Sequence, residues 1–352
     1  MDPVVRVRSC IEEQRVADVA VPLGIVVSSR ALPNHVVSEI PIPKHLIHQH
    51  LHVVNRVPIE MHVDASTRKI WTDQVWERRA TLQWRAARIG CAFSMGITRN
   101  LANRTAIVTG ASRGLGRVIA EALANEGVRV ALLARSEDAL QSLRSVLSMP
   151  EQHTVARVDL LDAAAIAGAV AKVRKALGAI DIVVHVAGGG LGLHEDLLSA
   201  DELARLFQLN IGSVAEINRL VVPEMIARRR GHLVHVGSIA SVEATASVGY
   251  NTVKAAMAAY VRTLGRSLAK HDVVATGILP GGFAAPGNAM DRLQQSKPDV
   301  YEKFIQDRLP RGRMGRAEEL VPLLLYLCSD HASMMGGCMV PIDAGEGLAY
   351  GG

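Results

Sequence analysis

From Leu101 onward the chain alternates short apolar runs with amphipathic stretches. "TAIVTG", "VRVALLAR", "HTVARVD", "IDIVVHVAG", "GHLVHVGS" and "VVATGILPGG" are each brief, aliphatic or β-branched, and closed by turn formers. Runs of that kind mark strands buried on both faces. Between them lie segments such as "LGRVIAEALANEG", where Val118, Ala122 and Leu123 fall at helical spacing and Gly127 suits a helix C-terminus. Alternation of strand and helix predicts an α/β fold: a doubly wound parallel sheet with helices on both faces, over residues 95–352.

The first 94 residues lack this rhythm. They hold all three tryptophans, Trp71, Trp76 and Trp84, and a crowded "HLIHQHLH" from His45 to His52. "DQVWERRATLQWRAARIG" has the composition of a helix and "VADVAVPLGIVVSS" that of a strand, without sustained periodicity. His48 and His52 stand at i,i+4, but no carboxylate or cysteine is placed nearby to complete a ligand set, so no metal site is expected. The break in composition predicts that residues 1–94 are a poorly structured or artefactual extension of uncertain order, and that Met95 starts the working unit.

Charge changes this picture little. The net charge is +5 and the isoelectric point near 9.2, but an excess of three positive charges lies in residues 1–94 and only two in the rest. The run Arg228, Arg229, Arg230 reads as a solvated helix end favoured by the helix dipole. Nucleic acid is not an expected partner. No apolar run reaches the ~18 residues of a membrane span. Cys10, Cys91, Cys328 and Cys338 form no CxxC pair, which points to reduced thiols in a cytoplasmic protein without structural zinc.

The chemistry begins at "TGASRGLG". Gly110, Gly114 and Gly116 between a strand and a helix permit a tight turn and close approach of the backbone to a pyrophosphate, with Ser112, Arg113 and Leu115 in the same loop. Free amides at the helix start meet the negative charge. The next strand ends at Arg135, where an acid would select an unphosphorylated ribose; Arg135 and Arg113 instead suit a 2′-phosphate, so NADP(H) is the expected cofactor. Asp159 and Leu160, after "HTVARV", are placed to bound the adenine pocket.

"YNTVK" carries Tyr250 and Lys254 at i,i+4, one turn apart on a helix face. A nearby cation favours phenolate and would bring the tyrosine pKa down from about 10 toward working pH. Ser238, at the end of the preceding strand, can hydrogen-bond the same substrate oxygen.

These motifs, with Ala187 and Gly188 after the fourth strand, Asn210 in "LNIGS" and "PGG" at Pro280–Gly282, make the last 250 or so residues resemble the short-chain dehydrogenase/reductases, close to the 3-oxoacyl-[acyl-carrier-protein] reductases. The resemblance implies a Rossmann sheet of about seven strands and a homotetramer. It implies a catalytic set of Asn210, Ser238, Tyr250 and Lys254: Tyr250 as acid/base, Ser238 orienting the carbonyl, Lys254 holding the nicotinamide ribose and lowering the tyrosine pKa, Asn210 holding a water. Ala187, Gly188, Pro280 and Gly281 would flank the cofactor with Tyr250 and Lys254. Three departures stand out. "HVAG" replaces the family's "NNAG", with His185 read as a core histidine; the Ser238–Tyr250 interval is one residue short; and Ala285 stands where a threonine often meets the carboxamide.

Residues 283–315 lie where the family has its substrate lid, and Met290, Leu293, Phe304, Ile305 and Leu309 suggest an apolar slot or, equally by pattern, ordinary core. Met334, Met335 and Val340 are expected to be buried near the C-terminus. The implied activity is NADPH-dependent reduction of a carbonyl, first of all in a 3-oxoacyl thioester. The alternatives are an NADP-dependent dehydrogenase of a small secondary alcohol, sugar or polyol, and a cofactor-sensing binding protein without turnover.

Overall fold

A computed structural model of the protein describes residues 100–349 together with two short strands, β1 (Arg6–Arg8) and β2 (Glu60–His62). These two pair antiparallel, Arg6 opposite His62, within a unit spanning Met1–Gly96. The tryptophan-bearing segment, the His48/His52 pair and the boundary near residue 94 lie outside the described residues.

The second unit, Ile97–Gly352, holds a seven-stranded sheet. Its strands are β3 (Thr105–Thr109), β4 (Arg129–Ala134), β5 (Thr154–Arg157), β6 (Ile182–His185), β7 (Gly231–Val236) and β8 (Val273–Pro280), followed, after the two-residue strands β9 (Phe283–Ala284) and β10 (Gly315–Arg316), by β11 (Met339–Ile342). All seven run parallel in the order β11-β8-β7-β6-β3-β4-β5. Each apolar run of the sequence forms the strand expected of it.

The strands' alternation sorts side chains to two faces. Ala106, Val108, Val130 and Leu132 turn toward α1 (Gly114–Asn125) and α2 (Glu137–Val146), whereas Ile107, Ala131 and Leu133 turn toward α3 (Ala163–Leu177). Full burial of residues such as Ile119, Leu123 and Val173 contributes roughly 1.5–3 kcal/mol each. Caps fix where the helices begin: Asp162 accepts from Ala164 N and Ala165 N, and Ser199 with Glu202 forms a capping box at α4 (Ala200–Phe207).

One π turn, Gln208–Gly212, joins α4 to α5 (Ser213–Arg228). Widened turns of this sort cluster at functional sites, and Asn210 sits inside this one. Then α6 (Val248–Leu268) carries Tyr250 and Lys254. The lid helices α7 (Ala289–Ser296) and α8 (Pro298–Arg308) precede α9 (Ala317–Leu327), which packs on the face of α1.

One alternative left open is decided and one expectation needs correction. Tyr301, Leu309 and Met314 are buried together, with Met290, Leu293, Phe304 and Ile305 packed on them, so the lid's apolar stripe makes a small core of its own, from which Met290 and Phe304 also reach the cleft. Met334 is 93 % exposed, in a short 3-10 turn before β11, while Met335 and Val340 are half-buried.

Candidate active site

The sheet order reverses between β3 and β6, and the crevice at the carboxyl ends of these strands is where such sheets bind ligands. A cleft of about 1130 Å³ opens there. Its floor is the glycine turn. Gly110 has φ +69°, and a Cβ on it would lie 3.1 Å from the Ala187 backbone; a Cβ on Gly116 would run into the Gly110 carbonyl. Only glycine lets the first strand, the turn and the first helix come this close. The Gly114 amide, at the start of α1, donates to the Pro286 carbonyl of the lid at 3.0 Å.

Every residue expected to touch a cofactor lines this cleft. Gly110, Ser112, Arg113, Gly114, Leu115 and Gly116 form one end, with Arg135, Asp159 and Leu160 across from them. Ala187, Gly188, Pro280 and Gly281 continue toward Tyr250 and Lys254. Arg113 and Arg135 are both exposed at the rim, with their charges open to an anion. Asp159 Oδ1 accepts from Leu161 N at 3.1 Å, which fixes its carboxylate. The bare backbone of Val186–Gly190 also borders the cleft. These surfaces fit a dinucleotide: a Cβ-free cradle with helix-start amides at one end and a tyrosine and lysine at the other.

The reacting end is assembled from three elements. Ser238 follows β7 and its Oγ accepts from Ala240 N at 3.1 Å. Tyr250 and Lys254 come from successive turns of α6, and the Lys254 ammonium lies 5.5 Å from the Tyr250 ring centroid while donating to the Val236 carbonyl at 3.0 Å. Ser238 lies close enough to the Tyr250 hydroxyl to draw its pKa down. Burial drives the Tyr250 pKa above its ordinary value, and the Ser238 contact only partly offsets it. The expected lowering by Lys254 has no part in this balance, in which loss of hydration is the larger influence. Burial also pushes the Lys254 pKa down to about 8.

Asn210 is fully buried behind this group. Its Oδ1 accepts from Gly189 N at 3.1 Å, and its Nδ2 donates to the Gly189 carbonyl at 3.0 Å and the Leu206 carbonyl at 2.9 Å. The side chain thus clamps the loop after β6, and a Cβ on Gly188 would stand only 2.8 Å from Asn210 Oδ1. The shortened Ser238–Tyr250 loop is shaped by a residue the sequence reading passed over. Asn251 Nδ2 donates to the Ala240 carbonyl at 2.9 Å, and its Oδ1 accepts from Ala246 N at 2.9 Å. Of the three departures, His185 is buried, with its Nε2 2.8 Å from Asn218 Oδ1, and Ala285 is packed into the core. Thr109 Oγ1 accepts from both Val186 N and Ala187 N, at 3.0 and 3.1 Å, which fixes "HVAG" without the family's asparagines.

Beyond Tyr250 the cleft is walled by Phe304 of the lid's apolar pattern and by residues no local motif marks: His194, Thr245, Ser247, Arg308 and Glu346. Arg308 donates to the Thr245 carbonyl at 3.0 Å and pairs with Glu346 at 3.1 Å. Glu346 also accepts from Gly282 N. The C-terminal segment therefore folds back over the chain's own cleft.

Comparison with known proteins agrees with this geometry. The sequence profile of the family described as enoyl-(acyl carrier protein) reductase matches residues 110–346. A 2-dehydro-3-deoxy-L-rhamnonate dehydrogenase (NAD(+)) of Sphingomonas sp. (strain SKA58) is 32% identical over 234 residues, 66% of this chain and 90% of that protein. A 3-oxoacyl-[acyl-carrier-protein] reductase of Escherichia coli (strain K12) is 28% identical over 247 residues, 70% and 98% of the two chains. Among solved structures, L-sorbose reductase of Gluconobacter frateurii complexed with NADPH and L-sorbose superposes with a TM-score of 0.66 at 25% identity, covering 72% of this chain and 100% of that one. A 3-oxoacyl (acyl-carrier-protein) reductase of Agrobacterium tumefaciens C58 with NADP bound gives 0.66 at 28% identity, covering 72% and 99%.

Proposed function

Since this chain belongs to the short-chain dehydrogenase/reductase family of nicotinamide-dependent oxidoreductases, we propose that it reduces a carbonyl to a secondary alcohol with NADPH. One observation carries the reading: Ser238, Tyr250 and Lys254 meet in one glycine-floored cleft, with the Lys254 ammonium 5.5 Å from the Tyr250 ring centroid on the next helical turn. When bound, the reduced nicotinamide supplies a hydride to the carbonyl carbon. Tyr250 gives the oxygen its proton, and its raised pKa keeps that proton in place until negative charge develops on the substrate. Ser238 orients the same oxygen. Lys254 holds the ribose, and Asn210 acts through Gly189 by fixing the loop beside the nicotinamide. Pre-organised donors of this kind lower the barrier because they need no rearrangement as charge appears.

The choice of NADPH over NADH rests on Arg113 and Arg135 at the rim, with Ser136 and not an acid after them. Bound NADPH or NADP in the two structural relatives supports it; the NAD(+) named for the rhamnonate dehydrogenase marks the opposite choice. The shared motif order supports a 3-oxoacyl thioester as substrate. A sugar or polyol is the second reading, favoured by the polar side chains of Thr245, Ser247, Arg308 and Glu346 at the reacting end. Residues 95–352 suffice for this activity, in a cytoplasmic homotetramer.

The test is Tyr250→Phe. Loss of the proton donor should lower kcat roughly 10²–10⁴-fold while NADPH, followed by its fluorescence, still binds. Turnover at the wild-type rate would sink the assignment, and a cellular role that persists without turnover would favour cofactor sensing.

A further inference from the structure

The wall that faces a substrate beyond Tyr250 is chemically specific. Arg308, on the last turn of the second lid helix, is held on three sides: by the Thr245 carbonyl at 3.0 Å, by Glu346 at 3.1 Å, and by the Phe304 ring 5.4 Å below its guanidinium. Two of its donor directions are thus used, and a guanidinium has five N–H groups. Glu346, with a side chain only 3% exposed, splits its oxygens between Arg308 and Gly282 N. Each carboxylate oxygen has a second lone pair. A fixed donor fork and a fixed acceptor therefore stand together in the cleft, beside the Ser247 hydroxyl and His194.

Two substrate classes fit this wall badly. A long acyl chain needs apolar cover, but Tyr301, Leu309 and Met314 are buried in the lid's own core with Leu293 and Ile305 packed on them, and the apolar residues that the lid helices bring to the cleft are Ala289, Met290 and Phe304, the last already covered by Arg308. An anionic substrate would meet Arg308 already paired, with Glu243 and Asp343 close enough to Glu346 to repel further negative charge. Glu243 and Asp343 are themselves fixed, by the amides of Leu348, Ala349 and Gly347. Paired donors and acceptors without net positive charge suit hydroxyl groups, each of which both gives and takes a hydrogen bond.

Building on the carbonyl-reductase reading above, and choosing its second substrate class over the thioester, we propose that the substrate is a compact, uncharged, polyhydroxylated ketone of the keto-sugar class, and that Arg308 and Glu346 are the residues that select it. Their hydrogen bonds to substrate hydroxyls would be charge-assisted and made by groups already held in place, so little ordering is needed on binding.

The experiment measures kcat/KM with NADPH for L-sorbose, for 5-keto-D-gluconate and for acetoacetyl-coenzyme A, on wild type, Arg308→Met and Glu346→Gln. Glu346→Gln keeps an oxygen for Gly282 N and so protects the fold if the charge removal in Arg308→Met does not. Wild type should prefer sorbose at least tenfold over the other two, and each variant should lower the sorbose value tenfold or more while changing acetoacetyl-coenzyme A less than threefold. A merely structural latch would lower all three together and overturns the proposal, as does a wild-type preference for the thioester or the acid. If no ketone is reduced, the reductase reading has failed, and binding of D-sorbitol to the NADP-loaded protein by calorimetry decides the inference by itself: binding weakened tenfold in Arg308→Met upholds it, and no binding to wild type overturns it.

Discussion

Lowering the pH from 7.5 to 5 should destabilise the protein by about 4 kcal/mol through two histidines alone. His185 on β6 and His235 on β7 are paired across the sheet, and their rings stack with centroids 4.8 Å apart and planes 21° apart. Both are buried. His185 Nε2–H donates to Asn218 Oδ1 at 2.8 Å, and His235 Nδ1–H donates to the Thr276 carbonyl at 2.8 Å; both partners can only accept. The remaining nitrogens, His185 Nδ1 and His235 Nε2, have no hydrogen-bond partner. Protonating either would set a cation against a second imidazole inside an apolar sheet. Burial, reinforced by His235, accordingly lowers the His185 pKa to about 3, and burial lowers that of His235 to about 4.

An unfolded histidine titrates near 6.5. Both folded values lie below that, so as the pH falls the unfolded chain takes up protons first. The stability tied to this pair is full above about pH 6.5 and is lost progressively toward pH 4 and 3. At pH 5 each ring has been held neutral about 1.5 pH units below its unfolded pKa, which costs about 2 kcal/mol per histidine. The sum is a large part of the ~5–15 kcal/mol that typically holds a domain together. The assay is urea unfolding at fixed protein concentration at pH 7.5, 6.5, 5.5 and 5.0, for wild type and for His185→Asn/His235→Gln. His232, whose proton affinity burial also lowers, is common to both chains and cancels in the difference of slopes. The double variant should start less stable and lose about 4 kcal/mol less over the range. Equal slopes would refute the reasoning, since they would mean that the buried pair accepts protons as readily folded as unfolded.

Replacing Arg113 and Arg135 by Ala should cut the NADPH-to-NADH ratio of kcat/KM by roughly tenfold per residue, because a charge-assisted hydrogen bond contributes about 1.5 kcal/mol; an unchanged ratio would mean that the 2′-phosphate is read elsewhere. Gly188→Ala puts a methyl group 2.8 Å from Asn210 Oδ1 and 3.5 Å from Lys254 Nζ. It should cost at least tenfold in kcat, with the circular dichroism of the fold retained, and a normal rate would show that the Asn210 clamp is dispensable. A chain begun at Met95 should match the full chain in kcat and Tm; an inactive product would give the upstream residues a part in the enzyme.

What the sequence reveals about this molecule follows the range of the forces involved. Strand and helix periodicity is local, so the runs around Ile107, Leu132, Val183 and Leu233 are among those that point to six of the seven strands before any contact is known, and the family resemblance supplies the seventh. The glycine turn and the Tyr250/Lys254 spacing are equally local, and they bring the right residues to one cleft. Spacing says nothing about how far a side chain is desolvated, which is why Lys254 at i,i+4 suggests a lowered tyrosine pKa and the folded chain has a raised one: the cover over Tyr250 comes from elements distant in sequence. The lid shows the same limit in another form. Leu293, Ile305 and Leu309 have a period that serves a ligand slot and a private core equally well, and the choice is made by Tyr301 and Met314, which close over them. Arg308 and Glu346 lie further still from any motif, because one ends a lid helix and the other follows the last strand. Their partnership exists only once β11 has joined the sheet and carried the C-terminal segment back to Gly282. The hydride-transfer chemistry is therefore written in contiguous motifs, whereas the selection of substrate depends on an ion pair that only the completed sheet brings together.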